Sequence, residues 1–478
     1  MPPQFLDLTD DILLAVLENS QVKDILSTRQ TCRRLNDLTR VRSVWLNACN
    51  DFVLDRGLPF PYKHLDDLGV SELEWRTRRA VSLTEAWASP NCRPRRAISF
   101  MGGPSSCLQS VHFVLRRDHE WIITQSEGIW PMITCWDLNR VEYDALKQVG
   151  RWYCEGASIG HIVVDNNIIS DASLAVSIDE YCVENQYIRI LKIRPMNDRH
   201  DVSFETLKCI DTDFSPVSLD GDILVTSDDY SKIHILNWRT DEHAILKSTE
   251  DLDEVIQHNK CLQVLFAHES IFVARSCSVE LFPKVTWHAA GDTAQPLTPL
   301  QTCSFGWIDG IAMAPLSVYI PQYQYPPIVI LVRAEQGDPW ESDIHSIKYC
   351  IVSPDPAYFL PGSSKDSAIP YCFPPVLLST LAAKRDFMHC PTLALGSAGT
   401  SMWLGSSIGR GGAQVLRSMI WQGPIADLMK PEEVRSRNLL SSIESGGATW
   451  NLMDYVEHRG CIALGAVDGS VKVLYMVD

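Results

Sequence analysis

The sequence predicts a mainly β chain with a small all-α part at its N-terminus. Three observations carry that reading. Apolar residues in the first 49 positions recur at steps of three, four or slightly longer, the period of amphipathic helices. From about Arg96 onward that period fades, and short strand-like runs separated by Gly, Asp, Asn and Ser take over. Within this second region one pattern of apolar run, turn and alternating run recurs about seven times, as stacked repeats do.

Bulk composition narrows the function classes. The chain has 478 residues, 45% hydrophobic and 21% charged, enough for a large core. Its formal charge of −17 argues against general nucleic-acid binding, which needs clustered Lys and Arg, and disfavours anionic membranes. No apolar run approaches the roughly 20 residues that span a bilayer. Met1-Pro2-Pro3-Gln4 has no basic n-region and no Asn-X-Ser/Thr acceptor occurs, so the expectation is an intracellular chain, cytoplasmic and/or nuclear. The 15 cysteines are scattered, include no Cys-x-x-Cys pair, and often sit in apolar runs, as do Cys135, Cys182 and Cys350. They read as reduced, mostly buried thiols, with no metal or cofactor expected.

The N-terminal elements come first. Leu8, Ile12, Leu13, Val16, Leu17, Val22, Ile25, Leu26, Cys32, Leu35 and Leu38 form the apolar series and Trp45 closes it, which predicts two or three short helices. Thr9 is the expected N-cap of the first, with Asp10 and Asp11 at its positive end and Ile12, Leu13, Val16 and Leu17 on one face. A second helix is expected around 23–31. A unit this small buries little by itself, so part of that surface is expected to meet a partner.

The stretch from Leu8-Thr9-Asp10-Asp11-Ile12-Leu13 through Cys32-Arg33-Arg34-Leu35 to Val44-Trp45 resembles an F-box. Leu8, Asp11, Ile12, Leu13, Leu17, Leu26, Cys32, Arg33, Leu35 and Trp45 match the family pattern. Thr9 replaces the usual proline and Thr31 the usual apolar residue before the cysteine. The resemblance covers about a tenth of the chain. It implies docking onto a Skp-family adaptor, and through it a cullin, with Leu8, Thr9, Ile12, Leu13, Val16, Leu17, Leu26, Cys32, Leu35 and Trp45 as adaptor-binding residues.

The organisation expected is 1–50 as that module, 51–95 as a helical linker and 96–478 as a recognition domain. In the linker, Gly57, Pro59 and Pro61 mark a loop. Ser71 is the expected cap of a helix that presents Leu73, Ala80, Leu83 and Trp87 on one face and ends at Ser89-Pro90. Its basic cluster, Arg76, Arg78, Arg79, Arg93, Arg95 and Arg96, reads as a solvated face, with a nuclear-targeting or phosphate patch as the sharper alternative.

Seven hairpins are legible beyond it: 121–126 leading to 132–138, 174–178 to 187–193, 223–229 to 232–238, 270–275 to 279–282, 328–332 to 344–351, 393–397 to 402–404, and 461–466 to 471–477. In the last, Val467-Asp468-Gly469-Ser470 is a strong turn signal. Each unit has room for four short strands, and a hairpin cannot bury both faces alone. A β-propeller of about seven blades fits, with 97–100 as the outer strand of the final blade. The hairpins resemble the inner strands of WD-repeat blades, Trp136-Asp137 being the one literal copy. A two-sheet sandwich or two smaller β-domains is the runner-up.

Motifs for catalysis are missing: no Gly-x-Ser-x-Gly elbow, phosphate loop or His-Glu-x-x-His occurs. The glycine-rich 405–412 lacks a P-loop lysine. The acidic 250–254 reads as a solvated loop, His258 and His268 as packing or surface groups, and Asp228-Asp229 as turn formers. Tyr319, Tyr323 and Tyr325, in a proline-punctuated loop, are candidate contacts for a target, with a loop packed on its own blade as the commoner outcome. The expectation is a non-catalytic substrate receptor of a Skp–cullin–F-box ubiquitin ligase, similar in layout to F-box proteins of mushroom-forming fungi. A scaffold that binds the adaptor without a cullin is the alternative, and a propeller enzyme the weakest reading.

Overall fold

The computed structural model describes residues 8–61, 65–89, 92–103, 107–116, 119–128, 130–165, 167–181, 185–196, 201–228, 230, 232–248, 259–292, 295–317, 325–335, 344–359, 369–384, 390, 392–406, 414–420, 436–440 and 449–477. Four helices, not two or three, occupy the first 49 positions: α1 (Asp10–Glu18), α2 (Val22–Arg29), α3 (Arg33–Leu38) and α4 (Arg42–Cys49). Trp45 closes the apolar series from inside a helix of its own. Thr9 sits at the N-cap position in extended backbone, and its carbonyl accepts from Leu13 N at 3.1 Å, but its side chain makes no capping bond.

Helix α5 (Val70–Ala88) starts one residue before the expected Ser71 cap, with Gly69 in the capping position. Its Leu73 and Ala80 join Leu17, Val22, Ile25, Val44, Trp45 and Ala48 in one core. Within the next two turns, Leu83 and Trp87 enter a different core together with Trp450, Met453, Ile462 and Leu474. One helix therefore plugs into two bodies.

Among the described residues, 28 strands form seven four-stranded antiparallel sheets. The first strand of each is β2 (Cys107–Leu115), β6 (Ala157–Val164), β10 (Ser215–Asp220), β14 (Cys261–Ala267), β18 (Ile308–Pro315), β22 (Leu393–Leu395) or β26 (Trp450–Val456). Each touches the next, and β26 touches β2, so the sheets close into a seven-blade β-propeller. The last blade takes its outer strand from the front of the domain. Strand β1 (Arg96–Met101) runs antiparallel to β28 (Ser470–Tyr475), with Arg96 opposite Tyr475 and Met101 opposite Ser470. The 97–100 segment was expected in this place.

The burial pattern explains what the sequence displays. Second strands such as β15 (Ser270–Arg275) and β27 (Cys461–Ala466) are buried at every position. They are paired on both edges and covered on both faces by neighbouring blades, so they read as unbroken apolar runs. Outer strands are covered less completely, and the outer strand β17 (Gln301–Ser304) has no fully buried residue and leaves little signal. Six of the legible hairpins are accordingly the middle pair of their blade, not its inner edge. The hairpin at 393–404 differs: it joins the first and second strands of the sixth blade, because the partner of β23 (Thr400–Ser406) lies beyond the glycine-rich segment, in β24 (Gln414–Ile420).

Polar ties lock the seam. Asp454 accepts from Phe113 N of the first blade at 2.6 Å. The buried Glu457 carboxylate accepts from Ala398 N at 2.7 Å and Thr400 N at 3.2 Å of the sixth. Gly396 makes room for it: a Cβ there would lie 2.1 Å from the Glu457 carboxyl carbon.

Candidate adaptor-docking site

The helical unit is held from within by one polar hub. Arg29 forks onto Glu74 of α5 at 2.6 and 2.9 Å, and donates to Thr39 Oγ1 at 3.0 Å and Thr39 O at 3.1 Å. Trp45 Nε1 donates to the same carbonyl at 2.8 Å, and the Arg29 guanidinium lies 5.6 Å from the Trp45 ring centre. Burial pushes the Glu74 carboxyl up, but the hydrogen bonds and charges of Arg29 and then Arg78 outweigh it and hold the carboxyl below its ordinary value. Arg34 ties the start of α1 to α3, donating to Asp10 Oδ1 and Leu8 O, each at 2.7 Å.

This arrangement divides the expected face of α1. Leu13 and Leu17 point into the unit and are buried, whereas Ile12 is 49% and Val16 44% exposed, one helical turn apart. Of the other expected adaptor contacts, Thr9 is exposed, Leu8, Leu26 and Cys32 are half-buried, and Leu35 and Trp45 are buried. The structure thus brings an outward apolar pair onto a closed miniature core. Arg29, Glu74 and Thr39 carried no sequence signal, because 45 residues separate the ion-pair partners.

Other candidates resolve differently. Tyr325 is a packing residue, not an exposed contact: it is 7% exposed, His268 stacks on it at 4.0 Å, and Tyr371 meets it edge-on at 5.0 Å. Asp228 is a turn former, as expected, its Oδ1 accepting from Tyr230 N and Lys232 N. Arg76 and Arg79 turn toward the propeller rather than solvent. Arg76 pairs with Glu72, and Arg79 Nη2 donates to Arg459 O at 2.7 Å. Tyr319, Tyr323, Asp229, His258, Cys182, 250–254 and 407–412 lie outside the described residues.

A short helical unit with an outward apolar pair is joined by one helix to a closed seven-blade ring. Residues 5–47 match the F-box domain, a kind of domain that binds Skp-family adaptors. The chain thus carries an F-box domain followed by a seven-blade β-propeller, the layout of an F-box protein with a propeller, which supports a substrate-receptor-like role. No curated protein matches it. Among solved structures, a chain of the mitotic checkpoint complex is 9% identical at a TM-score of 0.45, over 82% of this chain and 97% of that one. Chaetomium thermophilum Raptor is 12% identical at 0.49, over 96% of this chain and 39% of Raptor. The β-propeller domain of Myceliophteria thermophila Cps50 (Swd1) is 8% identical at 0.44, over 80% and 100%.

Proposed function

We propose that this chain is the substrate-recognition subunit of a Skp–cullin–F-box ubiquitin ligase. The observation that carries the reading is the open pair Ile12 and Val16 on a helical unit whose own core is closed and which α5 clamps to the ring. Helices of the adaptor would cover that pair, with Leu8, Thr9, Leu26 and Cys32 around it. Leu13, Leu17, Leu35 and Trp45 would act from beneath by holding the helices in register. The adaptor brings the cullin, the propeller holds a target protein, and other subunits transfer ubiquitin.

In this reading 1–50 docks, 51–95 fixes the spacing and 96–478 recognises, in the cytoplasm and/or nucleus. The contribution to rate is proximity, since a held target lysine reacts as if at high local concentration. The test is reconstitution of the full chain with a purified adaptor and then a cullin. The expected result is retention of both. If the adaptor binds and no cullin follows, the chain is a non-ligase scaffold instead. If Ile12→Asp with Val16→Asp leaves adaptor binding intact, the docking face is wrongly placed.

A further inference from the structure

A cavity of about 380 Å3 opens where α5 crosses the seam of the ring. Its walls come from α5 (Trp75 and Arg79), from β1 (Arg96), from the first blade (Glu120) and from the last blade (Arg459 and Tyr475). Its charge is lopsided: three guanidiniums line it against the one carboxylate of Glu120, in a chain whose net charge is −17. Arg459 pairs with that carboxylate.

The cations are held rather than loose. Arg79 donates to the Arg459 carbonyl, and the guanidiniums of Arg79 and Arg459 lie 5.1 and 5.3 Å from the Trp75 ring centre. Arg96 lies 5.7 Å from the ring centre of Tyr475. Burial above all, with the nearby charges of Arg79 and Arg76 adding to it, pushes Arg459 down to about 10. The neighbouring His458 is pushed down to about 4 by burial and the same two arginines, so it adds no positive charge at neutral pH. Beside the cations stand the apolar Phe113, Leu115, Leu138 and Val456, with Asn139 as a neutral polar neighbour.

We infer that this cleft binds a small organic anion, a phosphate or carboxylate carried on an apolar or aromatic body. Guanidiniums fixed on rings match oxyanion geometry, and the apolar lining takes the body of the ligand. A ligand there touches α5, the closing strand and both blades of the seam at once, so its occupancy stiffens the joint between the F-box and the ring. The inference stands apart from the identity of any target or cullin.

The test uses the full chain, with phenyl phosphate, benzoate, inorganic phosphate and benzylamine as probes in calorimetry and thermal shift. Phenyl phosphate or benzoate is expected to bind with a Kd near or below about 1 mM in low salt and to raise the melting temperature. Which of the two binds more tightly distinguishes a phosphate from a carboxylate ligand. Arg96→Gln, at an exposed position, is expected to weaken binding about tenfold while melting like the unaltered chain without ligand, and salt near 0.3 M is expected to weaken it further. Arg459→Gln provides a second variant at the centre of the cluster. No binding of either aryl anion up to about 10 mM, equal binding of benzylamine, or an unchanged Kd in Arg96→Gln would each overturn the inference. Inorganic phosphate binding as tightly as phenyl phosphate would overturn the role given to the apolar lining.

Discussion

Helices α1 and α5 are both amphipathic, and both contribute to the core of the F-box unit, yet they end in opposite situations. On the inward face of α5 the apolar residues find owners within the chain: Leu73 and Ala80 belong to the F-box core, and Leu83 and Trp87 to the ring, while Trp75, off that face, stays 43% exposed beside the Arg79 and Arg459 guanidiniums. In α1 Leu13 and Leu17 are buried and Leu14 packs in part against the core, while Ile12 and Val16 stay open. Helical spacing of apolar residues says that a surface will be covered. It does not say whether the cover comes from the same chain or from another.

The difference can be tested from the large end downward. Trp87 is 1% exposed and meets Tyr455 edge-on at 6.1 Å. Trp87→Ala is expected to cost about 3–5 kcal/mol, read as a lower denaturation midpoint of the ring. Gly460 comes next, with a φ of 57° and a position where a Cβ would lie 2.2 Å from Leu83 Cδ2. Gly460→Ala therefore combines left-handed strain with pressure on the α5 anchor, and is expected to cost about 1–3 kcal/mol in urea denaturation.

His458 sharpens the comparison through pH. Its folded value of about 4 lies below the ordinary 6.5. The unfolded chain thus takes up this proton first as pH falls. The stability it contributes is full above about pH 6.5 and is lost progressively toward pH 4, by at most about 3 kcal/mol. Burial raises Asp454 to about 6, which works in the opposite direction because the folded chain then binds the extra proton. The informative quantity is therefore the difference between His458→Asn and the unaltered chain. That difference is expected to be pH-independent above about 6.5 and to favour the variant increasingly below it. A pH-independent difference across the whole range would remove His458 from the joint.

The smallest expected effect on stability belongs to α1. Ile12→Asp with Val16→Asp is expected to change stability by less than about 1 kcal/mol, since both sites are open, while adaptor binding in a pull-down is lost. Leu13→Asp with Leu17→Asp would lose binding for a less informative reason, because buried charges melt the unit itself. Contrasting the two pairs separates contact from scaffolding.

Much of the ring was legible in the sequence because doubly covered strands have no polar face. The middle hairpins stood out at 121–138 and 461–477 for that reason, and the Asp468-Gly469 turn was explicit: Gly469 has a φ of 89°, and Ser470 N donates to Asp468 Oδ1 at 3.0 Å. The outer strands and the sixth blade were blurred, since half-exposed strands carry mixed residues. The docking face was legible as a set but not as a division. Leu13 and Ile12 are adjacent in sequence and equally apolar, and only the placement of α3 and α4 against α1 makes one inward and the other outward. For Tyr325 the neighbouring prolines signal a loop but not its cover: its phenol ring lies against His268 and Tyr371, residues 57 and 46 positions away in sequence.

By itself the sequence determined the kinds of element and their repetition: helical period at the front, paired apolar runs behind, and a front segment able to complete the last blade. These follow from local backbone preference and from side chains alternating in or out of a core. Only the tertiary structure decided ownership. It set Arg29 on Glu74 across 45 residues and Arg79 on Arg459 across 380, placed α5 over the seam, and left Ile12 and Val16 uncovered. The reason is physical: burial and charge pairing belong to whatever packs alongside a residue, and distant neighbours leave no trace in its local period.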